Sequence, residues 1–319
     1  MSEIIELKQK KTGFWAKQKA NFNKNKTIIW FLLPAMALVI FFGYIPMLGV
    51  IFAFKEKVSA FNWFYDVLVQ PLTLDHIIGI FENPEIIKAI GNTLAISGAK
   101  LLIFFPATII FAILLSEIKN QTISKLLLII LCLPNFLSWP VTIGIWNNLL
   151  DVNNGLINNL IVSLGGEPVN FFKTMFKPLV VFLSIWKGLG WGSIFFYSAI
   201  MSIDKEYYEA ATIDGATKLQ KIRYLTIPGI LPVIALQLVL NITYIMDAGF
   251  DQVYAMLQIV PSITPDEQIL GTYIFDLAMR ANIDIPLGVA TSVMNGLFSL
   301  VLMLGGNALV KKKLGTSLW

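Results

Sequence analysis

Apolar and polar positions in this chain are sorted into long blocks. They do not follow the short periods of a water-facing helix or strand. A helix needs about 20 mostly apolar residues to cross a bilayer. Residues 27–54, 126–150, 224–246 and 285–310 contain no charged side chain, and 89–116 and 178–203 contain one each, Lys100 and Lys187. The pattern predicts an all-α polytopic membrane protein with six transmembrane helices. Residues 252–265 are also uncharged but too short and carry Pro261 and Pro265, so they read as an interfacial or re-entrant segment.

Composition agrees and removes other classes. Of 319 residues, 56% are hydrophobic and 14% charged, with a mean hydropathy of +0.71. A soluble domain carries about a quarter charged residues. Disorder is excluded on the same grounds. One cysteine, Cys132, and one histidine, His76, exclude a disulfide framework and leave no ordinary zinc or haem ligand set. No cofactor is expected on this chain, and nothing points to nucleic acid.

The net charge of +4 is the remainder of a larger asymmetry. With alternating spans and an inside N-terminus, the inner segments hold 16 Lys/Arg and the outer ones six, while the acids run seven inside and thirteen outside. This is the positive-inside bias, and it predicts both termini in the cytoplasm. The first 26 residues do not form a cleavable signal, because the apolar stretch after them is too long. Their lysines alternate with Phe14, Trp15 and Phe22. That suits a segment lying on anionic lipid and equally a solvated basic tail; residues 311–319 form the other cytoplasmic tail.

A helix lining a watery path carries a polar stripe, whereas one facing only lipid does not. The first span (27–54) lacks a stripe and reads as peripheral. The other five, within a core of residues 89–310, each have one: Thr93, Ser97 and Lys100; Asn135, Ser138, Thr142 and Trp146 with Trp139 beside them; Ser184, Lys187 and Trp191; Gln237, Asn241, Tyr244 and Asp247; Ser292, Asn295 and Ser299. For Ser and Thr, interhelical hydrogen bonding is the stronger reading. For Gln237, Asn241, Tyr244 and Asp247 with Trp139 and Trp146 nearby, a substrate path leads. Aromatic faces and amides suit a sugar. Lys100 and Lys187 are costly in a membrane and stand as functional candidates, with internal pairing or snorkelling as the other reading. Gly188 and Gly192 read as a helix-packing pair.

Residues 202–228 read SIDKEYYEAATIDGATKLQKIRYLTIP. Asp204 suits an N-cap, 205–213 a helix, and Gly215 the left-handed residue that ends it. A second short helix over about 217–224 leads to Pro228. Ala210 and Ala211 leave a slim surface and Glu209 a charge. The whole is a protruding helix–turn–helix suited to a soluble partner.

Here the sequence resembles a known family. Glu209-Ala210-Ala211, with Asp214 and Gly215 following and Leu225-Thr226-Ile227-Pro228 after nine further residues, is similar to the EAA motif of permease subunits of binding-protein-dependent, type I ABC importers. Leu225 and Ile227 exchange the usual Ile and Leu, a conservative departure. The fuller form over residues 209–216 is typical of the carbohydrate branch. Leu133 to Trp139, Ala248 to Tyr254 and the closing Gly-x-Ser-Leu-Trp resemble permeases for complex oligo- and polysaccharides.

The resemblance implies the type I permease fold with cytoplasmic coupling helices, in a bacterial cytoplasmic membrane. The implied partners are ABC ATPase subunits, a second homologous permease in a heterodimer, and an extracellular solute-binding protein that delivers a carbohydrate. ATP and Mg would sit on the ATPases. This chain has no G-x-x-x-x-G-K-[ST] loop and would be no enzyme. Glu209, Ala210, Ala211, Asp214, Gly215 and Pro228 would couple to the ATPase, and residues 248–284 would meet the binding protein. Two other classes compete. An ion-coupled transporter would favour inverted repeats, which are not evident, and would not need the EAA loop. A membrane enzyme would need clustered nucleophiles or carboxylates inside the membrane, whereas the acids here lie mainly in loops.

Overall fold

The computed structural model describes residues 26–260, 263, 265–279 and 284–315. The basic N-terminal segment, Pro261, Arg280 and Trp319 lie outside these residues. Four helices are long and apolar enough to cross a membrane: Trp30–Phe54, Pro84–Ser116, Phe176–Met201 and Ile285–Lys313. Two bent pairs, Gln121–Phe136 with Trp139–Leu150 and Lys218–Gly229 with Leu231–Thr243, make six when each counts as one span. Among the described residues there is no strand, only an isolated antiparallel bridge between Lys55 and Leu72.

Two corrections to the sequence reading concern shape. The second span begins at Pro84, not at 89. The Asn83 side chain accepts from the Glu85 and Ile86 amides, and Pro84 stands at the first helical position, where its missing N–H costs nothing. The third and fifth spans are not continuous. The third turns through 96° at Leu137 and Ser138, both extended, and restarts at Trp139 with Pro140. The fifth bends by 64° at Ile230, ahead of Pro232.

Proline also explains a quieter irregularity. Three π-turns occur among the described residues, Ile40–Tyr44, Lys100–Phe104 and Ile222–Thr226. Each ends two residues before a proline: Pro46, Pro106 and Pro228. A helical proline has no N–H for the carbonyl four residues back, and its ring crowds that carbonyl. The carbonyls concerned belong to Phe42, Leu102 and Tyr224, each inside its π-turn. Widening the turn accommodates the ring while the helix continues.

The chain divides into residues 1–51 and 52–319. In the first, every side chain from Trp30 to Leu48 is exposed. This helix is apolar on all sides, a surface that water would penalise and lipid would not.

In the second unit the fourth span is the hub. A Cβ at Gly188 would meet the Phe104 ring at 3.0 Å, and one at Gly192 would meet Thr108 at 2.8 Å. The pair is therefore a packing device against the second span. Gly190 faces the other way, where a Cβ would meet the Leu131 carbonyl carbon and oxygen at 2.4 Å. Glycine at alternate positions thus admits two neighbouring helices at once. Phe105, Ala112, Leu115, Phe196, Tyr197, Ile200 and Ile230 form one apolar core at that end of the bundle.

At the other end, the short helix Phe250–Ile259 packs inside the protein. Gln252, Val253, Ala255 and Met256 are buried, and the helix joins Ile143, Leu150, Phe176, Leu179 and Val180 in a second core. Ten residues long, it is too short for a seventh span. Asn158 staples the neighbouring loop. Its amide donates to the Leu150, Asp151 and Val169 carbonyls at 3.1, 3.0 and 3.0 Å, and its Oδ1 accepts from the Val169 amide at 2.7 Å.

This packing predicts a sharp contrast between two neighbouring glycines. Gly190→Val drives side-chain atoms into backbone and is expected to lower stability by more than about 3 kcal/mol. Gly188→Ala meets only the tip of a ring and should cost less than about 1.5 kcal/mol. Thermal unfolding of the purified protein in detergent separates the two; equal transitions would contradict the close contact at Gly190.

Candidate functional site

A cavity of about 480 Å³ opens between spans two to five, within the size range of small-molecule sites. Span two contributes Ser97, Lys100 and Thr108, span three Asn135 and Trp139, and span four Ser184, Lys187 and Trp191. Span five and the turn after it contribute Gln237, Asn241, Tyr244 and Asp247. From Ser97 to Thr108 the helix rises roughly 16 Å at 1.5 Å per residue, about half of a 30 Å hydrocarbon core.

Five of the six residues expected on the path therefore meet at one cavity: Trp139, Gln237, Asn241, Tyr244 and Asp247. Gln237 and Asn241 lie one turn apart on one helix, and the Asn241 amide donates to the Gln237 carbonyl at 2.7 Å. Tyr244 and Asp247 are exposed and form the mouth. Trp146 does not line the cavity. It packs edge-on against Phe182 and Trp186 at 5.1 and 5.6 Å, two turns beyond Trp139 on a helix that the 96° break has redirected.

Two stripes have a different role from the one a path would require. On span two, Ser97 donates to the Ile245 carbonyl at 2.5 Å and Thr93 accepts from the Leu270 amide at 2.8 Å. Asn92 donates to the Asp266 and Gln268 carbonyls at 2.8 and 2.9 Å. These groups are interhelical ties, although Ser97 also borders the cavity. On span six, Ser292 and Ser299 donate back to Gly288 and Asn295 of their own helix, both at 2.9 Å. That span contributes nothing to the cavity wall.

The wall depends on a side chain that hydropathy does not single out. Gln252 is fully buried, and its Oε1 accepts from Lys100 Nζ at 3.0 Å and Ser184 Oγ at 2.9 Å. Its Nε2 donates to the Val180 carbonyl at 2.8 Å. Lys100 also donates to the Ala248 carbonyl at 3.0 Å. Ala248 has φ +49° and Gly249 φ +83°; the former is uncommon for a residue with a Cβ. Lys100 thus holds a left-handed turn that starts the short buried helix. The only sequence signal for this cluster is the 248–254 motif.

The loop 202–228 lies at the other end of spans four and five. Its first helix is Lys205–Ile213, with the bounds the sequence predicts. Gly215 has φ +77°, Ala216 N–H bonds the Ala211 carbonyl at 2.9 Å, and Gly215 N–H bonds the Thr212 carbonyl at 3.1 Å. This paired closure is the Schellman end. Asp204 occupies the N-cap position, but its side chain makes no cap hydrogen bond. The sequence reading missed the cap of the second helix, a full capping box between Thr217 and Gln220.

The loop is braced from within. Tyr208 and Thr226 share a hydrogen bond of 2.9 Å, and Lys221 donates to Thr212 Oγ1 at 2.6 Å. Glu209, Ala210, Asp214, Gly215 and Pro228 are exposed, Ala211 is half-buried, and Ile213 is 88% exposed at the tip. The projection has an exposed apolar tip, and its base touches the end of span two, where Lys218 pairs with Glu117 at 3.7 Å.

Among the described residues no three His, Cys, Asp or Glu side chains form a metal-binding group. Outside the spans, burial pushes the Tyr273 phenol up, as does the Glu85 carboxylate that it donates to at 3.1 Å.

Up to six candidate spans, with a polar cavity among spans two to five and a projecting helical loop, fit a membrane component of a transport system. The chain belongs to the family described as binding-protein-dependent transport system inner membrane components, whose model matches residues 104–313. It is 31% identical to Protein LplB of Bacillus subtilis over 92% of this chain and 91% of that one. It is 32% identical to the polygalacturonan/rhamnogalacturonan transport system permease protein YteP of the same organism, over 91% and 89%. The crystal structure of a bacterial ABC transporter that imports the acidic polysaccharide alginate contains a chain of the same fold, with a TM-score of 0.82 and 29% identity over 93% of this chain and 99% of that one. A second structure, of the alginate transporter with a periplasmic protein bound to alginate pentasaccharide, aligns with a TM-score of 0.83 and 29% identity over 94% and 99%.

The Gln252 cluster predicts strong coupling between its members. Gln252→Leu takes one acceptor from a buried ammonium, which keeps the Ala248 carbonyl, and from a hydroxyl, which keeps the Val180 carbonyl, and should cost about 1–3 kcal/mol. Adding Lys100→Met should cost less than the sum of the two single changes, because the bond that the two residues share is counted in both. A double-mutant cycle on thermal unfolding checks this; simple additivity would contradict it.

Proposed function

We propose that this chain is a permease subunit of an ATP-driven importer that takes up an oligosaccharide handed over by an extracellular solute-binding protein. The observation that carries the proposal is the pairing of two features on the same helices. A cavity lined by aromatic rings and amides sits mid-span, and a Schellman-closed helix projects from the end of spans four and five. From Lys187 to Met201 the fourth span is one unbroken helix, roughly 21 Å at 1.5 Å per residue. Motion imposed on the loop therefore reaches the cavity without a hinge in between.

In this reading the loop faces the cytoplasm, as the distribution of lysines and arginines favours. Glu209, Ala210, Ala211, Asp214 and Gly215 enter a cleft in an ABC ATPase, and Pro228 closes the segment. ATP and Mg belong to that partner, and this chain performs no catalysis of its own. Closure of the ATPase pair rocks the bundle between its two openings. The cavity lies along one chain, so a second, homologous permease supplies the opposite wall. Membership of a binding-protein-dependent family favours this reading over ion-coupled transport.

Gly215 offers a clean test of coupling. No atom lies within 4 Å of a Cβ placed there, so Gly215→Asp carries only the backbone cost of a left-handed residue, about 1–2 kcal/mol. The variant is expected to reach the membrane and retain its fold. ATP-driven sugar uptake and co-purification of the ATPase should fall at least tenfold. Wild-type uptake by a normally assembled Gly215→Asp protein would contradict the coupling role.

A further inference from the structure

The two intramembrane lysines occupy one cavity but are held differently. Lys100 donates to two oxygens, those of Ala248 and Gln252, and interacts electrostatically with Asp247. It is committed to the turn that it stabilises. Lys187 is 8% exposed and donates once, to the Asn135 carbonyl at 2.7 Å. Its Nζ lies 5.2 Å from the centroid of the Trp139 ring. Among the described residues, the ion pairs are Lys88 with Asp266 and Lys218 with Glu117; neither involves Lys187.

An ammonium has three donors. A peptide oxygen and a ring face occupy part of that capacity and neutralise none of the charge. A cation kept at mid-membrane without a carboxylate is costly. Asn135 and Trp139 do not need a charge opposite them, since an amide donor or an apolar side chain would serve packing there at lower cost. The cavity holds two lysines against Asp247 at its mouth, so its own charge favours an anion. Trp139, Trp191 and Tyr244 offer faces for sugar rings, and Gln237 and Asn241 offer hydrogen bonds to hydroxyls.

We infer that Lys187 is a specificity-determining residue that pairs with a carboxylate of the transported sugar, so that the cargo is a uronic-acid-containing oligosaccharide. The inference rests on the importer reading above and narrows its substrate class. The carboxylate would complete the ammonium's hydrogen bonding from the cavity side, while Asn135 and Trp139 hold the side chain in place from the protein side. Lys100 sets the wall and does not contact the sugar.

The test uses the complete importer in proteoliposomes, comprising this chain with its permease, ATPase and solute-binding partners. The probes are tetragalacturonate and its carboxyl-reduced counterpart, galactotetraose. Wild type is expected to accumulate tetragalacturonate in an ATP-dependent manner and to prefer it to galactotetraose. Lys187→Gln should lower tetragalacturonate uptake at least tenfold, and Lys187→Arg, which keeps the charge, should retain most of it. Binding-protein-stimulated ATP hydrolysis, measured in parallel, reports whether each variant is assembled.

Unchanged tetragalacturonate uptake in Lys187→Gln overturns the inference. So does an equal loss for both probes, which would make the residue a packing element. Wild-type preference for galactotetraose, or uptake of neither probe, overturns it as well. In each of these cases binding-protein-stimulated hydrolysis would leave the importer reading standing. Its absence in the wild-type complex would defeat that reading too.

Discussion

The cavity wall depends on one buried amide whose oxygen and nitrogen both find partners. Gln252 binds Lys100 of span two, Ser184 and the Val180 carbonyl of span four, and itself belongs to the short helix Phe250–Ile259. Three elements are thereby fixed to one side chain. A buried amide costs free energy unless its hydrogen bonds are made, and Lys100 would be costlier still if left alone. Each group makes the other tolerable. Lys100 in turn donates to the Ala248 carbonyl and so holds the left-handed turn at Ala248 and Gly249, from which the short helix Phe250–Ile259 enters the protein interior.

Proline shapes the rest of the path. At three prolines that the chain passes without turning, Pro46, Pro106 and Pro228, it widens into a π-turn, whereas Pro34 sits in plain α-helix. Where extended residues precede one, as at Leu137 and Ser138, the helix breaks and restarts in a new direction. The break in span three places Trp139 at the cavity and sends Trp146 into the core behind it. Span four has no break between Lys187 and Met201, and glycines pack it against neighbours on two sides. It is the stiff member of the bundle, suited to carry displacement from the loop to the cavity.

Much of this was legible in the sequence. Hydropathy located all six spans, because apolar length is a direct requirement of the bilayer. The first half of the loop was legible to the residue, since the helix 205–213 and the left-handed Gly215 follow from local propensities; the second helix, expected over about 217–224, runs instead from Lys218 to Gly229. What was hidden depended on three-dimensional pairing. Thr93 and Ser97 form a polar stripe whether they face water or another helix, and only the positions of the Leu270 amide and the Ile245 carbonyl decide. Gln252 sits in an apolar stretch with no periodic mark. Trp146 follows Trp139 by seven residues on the same helix, and only the direction that the preceding break gives this helix sets Trp146 against Phe182 and Trp186.

The account turns on which side of the membrane the loop faces, because a coupling element is useful only where an ATPase can reach it. A direct measurement is labelling with a membrane-impermeant maleimide in a Cys132→Ser background, with a single cysteine introduced at Ile213 or, as the opposite marker, at Phe61. Ile213 and Phe61 are 88% and 97% exposed, so access depends on sidedness alone. The account predicts that Phe61→Cys is labelled in intact cells. Ile213→Cys should be labelled only in inside-out vesicles, and less when the ATPase subunits are present. Labelling of Ile213→Cys from outside intact cells would contradict it.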